Sequence, residues 1–203
     1  MSVRIILASK SPRRSELLGL AGIDFLVVDS AVDEDHVRAE TPELLAINLS
    51  KLKASAVADK YPTNIILAAD TIVVCDKITS KIGIQIGESI VLGKPRDKQE
   101  AREMIELLAS REHRVITAFN IKHKERGIDY SKAVETSVRF RALGNSEIDW
   151  YINTDEPYDK AGAYGAQGHA QSFISSITGS YSNVVGLPLS DVVLALKEIQ
   201  GSM

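Results

Sequence analysis

A continuous apolar run, Ile65-Ile66-Leu67-Ala68-Ala69, closes on Asp70 and resumes at Ile72-Val73-Val74. A strand that is apolar at every position must be covered on both faces, so helices have to pack above and below its sheet. The run therefore predicts a buried strand that delivers Asp70 and Thr71 at its carboxyl end. In open α/β sheets ligands gather beyond those ends. An aspartate closing such a strand is itself buried and needs a metal or a cation as partner.

Helix and strand signals alternate around this run. Val3 to Ala8 reads as a first strand and Phe25 to Val28 as a second, ending at the acidic cluster Asp33-Glu34-Asp35. Between them Ser9-Lys10-Ser11-Pro12-Arg13-Arg14-Ser15 reads as a loop entering a helix, with Ser11 as N-cap and Pro12 as first helical residue. Thr41-Pro42 starts another helix by the same logic. Its apolar face runs through Leu45, Leu49, Leu52 and Ala56, with Lys53 at the edge of the stripe.

Lys77 to Ser89, with its alternating isoleucines, reads as a loop or floppy hairpin, and Ile90 to Leu92 as a strand broken by Gly93-Lys94-Pro95. Asp97 and Glu100 form a capping box for a helix to about Ala109. Val115 to Lys122 and Ala133 to Arg141 alternate like paired strands with polar outer faces, joined around Gly127. Ser146 is set to cap a short helix to Ile152. A glycine-rich loop follows from Asp159 to Gly168, then a turn at Gly179-Ser180-Tyr181-Ser182, and Pro188 to Ile199 closes as an amphipathic helix. The class is α/β with a mixed sheet, and no linker separates residues 1–203 into more than one domain.

Composition excludes several functions. The net charge of −3 supplies no basic field for nucleic acid or anionic membrane. No segment approaches the roughly 18 apolar residues of a membrane span, and the N-terminal apolar run is too short for a signal peptide. Cys75, the single cysteine, excludes an internal disulfide and fits a reducing cytoplasm. His36, His113, His123 and His169 lack metal-finger spacing. There is no Gly-x-Ser-x-Gly elbow, Walker loop or Rossmann glycine fingerprint.

What remains suits phosphate chemistry. Arg13 and Arg14 fall in a first helical turn, where the dipole disfavours a cation by roughly 0.3–1 kcal/mol. Either both point into water, or an anion held by backbone N–H groups and guanidinium forks reverses that cost. Lys53 and Lys94 are further candidate cations. Glu34 and Asp70 are candidate carboxylates for a divalent metal or for activating water.

Five blocks in one order resemble a known family. Ser9-Lys10-Ser11-Pro12-Arg13-Arg14, Ala68-Ala69-Asp70-Thr71, Leu92-Gly93-Lys94-Pro95, the stretch Asp159-Lys160-Ala161-Gly162-Ala163-Tyr164-Gly165-Ala166-Gln167-Gly168, and Val185-Gly186-Leu187-Pro188-Leu189 are similar to the Maf family of nucleoside triphosphate pyrophosphatases. The resemblance runs from residue 5 to about 199. It implies an α/β fold related to the inosine triphosphate pyrophosphatases, with a mixed twisted sheet, flanking helices and two lobes around a cleft. It also implies a cytoplasmic enzyme, often a homodimer, that hydrolyses a nucleoside triphosphate to monophosphate and pyrophosphate with Mg²⁺ or Mn²⁺.

Carried over by position, Asp70 resembles the family's proton acceptor. Glu34 resembles its partner in holding the metal, with Lys53 and Lys94 beside them in the catalytic set. Ser9, Arg14 and Lys160 resemble the rest of the phosphate and metal shell. Arg13, Thr71 and Gln167 resemble the three positions that mark the dTTP- and UTP-preferring subgroup. The segment Lys77 to Ser89 is longer than the turn the family pattern has before Gly-Lys-Pro, which counts against Lys81 as a site residue. Two other readings stay open. One is a triphosphate-binding regulator of cell division or septum formation with little turnover; the other is a phosphatase releasing orthophosphate.

Overall fold

The computed structural model describes residues 5–76, 78 and 80–201; Val3 and Arg4 of the expected first strand, and Lys77 and Thr79 of the expected loop, lie outside them. The described elements are β1 (Ile5–Leu7), α1 (Pro12–Leu20), β2 (Phe25–Val27), α2 (Pro42–Ala58), β3 (Ile65–Asp76), β4 (Ile84–Ile86), β5 (Ser89–Leu92) and α3 (Lys98–Leu108). They continue with β6 (Glu112–His123), β7 (Ile128–Phe140), α4 (Asn145–Tyr151), β8 (Ile174–Thr178), α5 (Tyr181–Val185) and α6 (Leu189–Gly201). Three 3₁₀ turns span the segment between α4 and β8.

The sheet follows the order β2-β1-β3-β6-β7-β8, with β5 joined to β3 and β4 to β5. β1 pairs in parallel with β2 and β3, whereas β3, β5, β6, β7 and β8 pair antiparallel. The predicted mixed α/β sheet is therefore present. β3 is one unbroken strand, however, and does not end at Asp70. Its first residues lie parallel to β1, through Leu7 opposite Leu67, and the rest is carried by β5 and β6. Asp70 and Thr71 thus sit in mid-strand, just past the point where β1 stops. They still flank a sheet opening, because the partner strand ends rather than their own.

Strand alternation sorts the core. Ile65, Leu67 and Ala69 pack with Leu17, Leu18, Val192 and Leu196 of α1 and α6. Ile66 and Ala68 pack with Ala54 and Val57 of α2, and farther along Ile72 and Val74 meet Leu45 and Leu49 of the same helix. By period two, Asp70 faces α2 and Thr71 faces the opposite side. Beyond β3, Phe140, Phe173, Tyr151 and Tyr164 form edge-to-face ring contacts that fill a further core with α3 and α4.

Several local expectations shift. β6 is buried along nearly its whole length rather than polar on one face, because it is an interior strand. Asp97 Oδ1 caps α3 by accepting from Glu100 N–H at 2.8 Å, but Glu100 Oε2 accepts from Arg96 N–H, one residue earlier than a capping box places it. α4 starts from Gly144, whose N–H donates to Glu147 Oε2; Ser146 lies inside the helix. The turn at 179–182 opens α5, with Ser180 as N-cap.

Candidate active site

One cleft of about 960 Å³ is lined by Ser9, Arg13, Arg14, Glu34, Lys53, Asp70, Thr71, Lys94, Lys160 and Gln167, every site residue predicted from sequence. Its volume lies in the range of nucleotide-sized pockets. Lys81 is exposed and does not line it.

The floor is Asp70. Its side chain is 11% exposed, and the partner that burial requires is Lys53 Nζ, 2.5 Å from Asp70 Oδ1. Lys53 belongs to the buried stripe Leu45-Leu49-Lys53-Val57 of α2 and not to its edge, since these positions recur every fourth residue. The same ammonium is 3.0 Å from Glu34 Oε2. Glu34 reaches it from the coil after β2, where Asp33 Oδ1 accepts from Asp35 N–H and turns the chain. One buried cation thus joins two carboxylates, so Lys53 is committed to holding them rather than free for a phosphate.

The arginines at the start of α1 do not point into water. Arg13 Nη1 lies 3.1 Å from Asp159 Oδ2. Arg14 donates from Nε to the Gly186 carbonyl at 2.9 Å, from Nη1 to Ser9 Oγ at 3.1 Å and from Nη2 to Thr71 Oγ1 at 3.2 Å. These contacts offset the dipole penalty. Burial lowers the Arg14 pKa, against the upward pull of Asp70. Ser11 occupies the N-cap position of α1 without a side-chain cap bond; its N–H instead donates to Ser9 Oγ. Gly186 closes α5 at φ +125°, backbone that L side chains rarely adopt, and so turns its carbonyl toward Arg14.

The glycine-rich loop forms the facing wall. Lys160 Nζ donates to the Glu156 carbonyl at 2.7 Å and pairs with Asp159 Oδ1 at 2.6 Å. A Cβ at Gly165 would stand 2.6 Å from Lys160 Cε, so only glycine lets that lysine lie along the loop. Burial pushes the Asp159 pKa up, but Lys160 and Arg13 outweigh it and hold it below the usual carboxylate value. Gln167 is exposed at the rim and Lys94 is exposed just after β5; no described residue is bonded to either side chain.

Three contributors were missed in the sequence. Glu156 staples the loop by accepting from His169 N–H at 2.5 Å, Ala170 N–H at 3.2 Å and the Tyr151 hydroxyl at 3.2 Å. Asp159 bridges Arg13 and Lys160, and its place at the head of the block that resembles the family, beside Lys160, was the available signal. Arg38 lines the cleft while its Nη1 donates to the Asp35 and Val37 carbonyls.

Comparison with known proteins bears on this arrangement. The sequence matches the family model described as Maf-like protein over residues 4–199. It is 43% identical over 199 residues to a dTTP/UTP pyrophosphatase of Syntrophus aciditrophicus, covering 98% of this chain and 91% of that protein. It is 47% identical to a protein of the same name from Geotalea uraniireducens, over 96% of this chain and 94% of the relative. A third, from Pyrococcus abyssi, is 45% identical over 95% of each. Among solved structures it is similar in fold to a HAM1 protein from Coxiella burnetii, with TM-score 0.53 and 14% identity over 97% of this chain and 99% of that one.

Proposed function

The chain belongs to the Maf family, and we propose on that footing that it hydrolyses nucleoside triphosphates, dTTP and UTP foremost, to monophosphate and pyrophosphate. The observation that carries the reading is the Lys53-held pair of carboxylates on the cleft floor, beneath Arg13, Arg14, Lys94 and Lys160. A ligand bearing several phosphates uses so many cations; a single phosphate does not.

In this reading Asp70 accepts a proton from the attacking water. The water oxygen bonds to the α-phosphorus, the bond from that phosphorus to the bridging oxygen breaks, and pyrophosphate leaves with the electron pair. Lys53 compensates the buried charge of Asp70 and fixes Oδ1, leaving Oδ2 without a protein partner among the described residues. Lys94, uncommitted, is the cation best able to meet charge developing on the leaving group.

A divalent cation fits here on its donor chemistry. Among the described residues no group of three or more His, Cys, Asp or Glu forms a metal cage. Mg²⁺ is ordinarily held by one or two carboxylates together with substrate phosphates, which is what Glu34 and Asp70 offer. When bound it supplies charge neutralisation at the phosphates. The same family reading carries with it a cytoplasmic setting and, often, a homodimer.

The test is Asp70→Asn, which preserves shape and removes the charge. Turnover of UTP should fall by about 10²–10⁴-fold in a protein that still melts cooperatively. A folded variant turning over at the wild-type rate removes Asp70 from the mechanism.

A further inference from the structure

Two hydroxyls in the cleft, Ser9 and Thr71, differ in what they can offer a ligand, and counting protons shows how. Ser9 Oγ accepts from Ser11 N–H at 3.2 Å and from Arg14 Nη1 at 3.1 Å. Both lone pairs are engaged, so toward a ligand it can only donate. Thr71 Oγ1 accepts from Arg14 Nη2 at 3.2 Å and lies 2.9 Å from Thr117 Oγ1.

Thr117 is fully buried on β6, opposite Thr71 in register, and its hydroxyl reaches the Asn183 carbonyl at 2.9 Å. A carbonyl only accepts, so the single proton of Thr117 goes there and Thr117 must accept from Thr71. The reverse assignment gives up the bond to Asn183. It would send the Thr71 proton to the Gly186 carbonyl at 3.5 Å, a contact at the limit of hydrogen bonding. Two good bonds outweigh one good and one marginal. Thr71 is left with a lone pair and no proton for the cleft.

We propose that Thr117 is a positioning residue for base recognition. By drawing the Thr71 proton inward, it fixes Thr71 as an acceptor and so favours a base that presents an N–H. Uracil and thymine carry a proton on N3; cytosine has an acceptor there. The inference rests on the reading of this chain as a pyrimidine nucleoside triphosphate pyrophosphatase. Thr117→Val keeps the shape and removes the acceptor, which frees the Thr71 proton to turn toward the ligand. Thr117→Ser keeps the acceptor.

The experiment compares kcat/KM on UTP and CTP for the wild type and both variants. The UTP-to-CTP ratio should fall about three- to tenfold in Thr117→Val, the worth of one hydrogen bond, and stay at the wild-type value in Thr117→Ser. A loss of packing alone would slow both substrates and leave the ratio unmoved. A folded Thr117→Val protein with an unchanged ratio overturns the role of Thr117 and leaves the functional reading standing. A wild type that shows no preference for UTP, or releases no pyrophosphate, removes both. Wild-type enzyme with N3-methyl-UTP gives a check independent of any variant's folding: discrimination against it supports the acceptor, and turnover equal to UTP overturns it.

Discussion

His113 gives the protein a pH dependence whose size follows from its surroundings. The residue lies on β6, 2% exposed, with its ring edge-on to Phe140 and Tyr164 at centroid separations of 5.1 and 5.4 Å. Nε2 is 2.8 Å from the Tyr164 hydroxyl, and Nδ1 has no partner among the described residues. Burial pushes the pKa down from 6.5 to about 3. The folded protein therefore keeps the ring neutral, while the unfolded chain protonates near pH 6.5. Because the unfolded state binds the extra proton, this contribution is fully present above that value and is lost as pH falls toward 3.

The loss approaches about 1.4 kcal/mol per pH unit, or ~2 kcal/mol between pH 7 and pH 5. Carboxylates, which titrate near pH 4 when unfolded, change little across that window. Urea unfolding of the wild type and of His113→Gln at pH 7, 6 and 5 isolates the effect. The wild type should lose ~2 kcal/mol more than the variant over the range. Equal losses would mean that the His113 ring is not held neutral. Tyr164 lines the cleft, so the same packing holds one wall of the site.

Other outcomes follow from the site. Arg14→Ala leaves the Gly186 carbonyl, Ser9 and Thr71 without their donor and should cost the ligand-free protein about 1–3 kcal/mol, whereas Arg13→Ala, which breaks a more exposed pair, should cost under about 1 kcal/mol. Thermal melts with increasing UTP should show a smaller nucleotide-dependent rise in Tm for both than for the wild type; an undiminished rise removes the arginine concerned from phosphate binding. Gln167→Glu should weaken the preference for UTP and dTTP over ATP and GTP, because the amide N–H can donate to O4 of the base while a carboxylate only accepts. A panel of kcat/KM values that leaves the preference intact removes Gln167 from base recognition.

How far the sequence could be read depended on whether each signal was local. The run at 65–69 announced its burial because β3 is covered on both faces, and Asp70 announced a partner because a buried carboxylate needs one. That its partner is Lys53 is hidden in the sequence, because Leu52 and Ala56 complete an equally apolar helix stripe that leaves Lys53 at its edge. Only packing against β3 shows that Lys53 replaces a hydrophobe on the buried face. β8 was missed because Ile174-Ser175-Ser176-Ile177-Thr178 is a short, polar edge strand whose order comes from β7 rather than from its own pattern. Gly144 caps α4 in place of the expected Ser146 because Glu147, three residues beyond it, reaches back to its N–H. Glu156 was invisible for a different reason. Its value lies in backbone N–H groups thirteen and fourteen residues downstream, which meet only once the glycine loop has folded.

Cleavage between the α- and β-phosphates is the central claim, and ³¹P spectroscopy of the products of UTP hydrolysis tests it most directly. With Mg²⁺ present, uridine monophosphate and pyrophosphate should appear together in equal amounts from the start of the reaction. Uridine diphosphate with orthophosphate, or tight UTP binding without products, would contradict it.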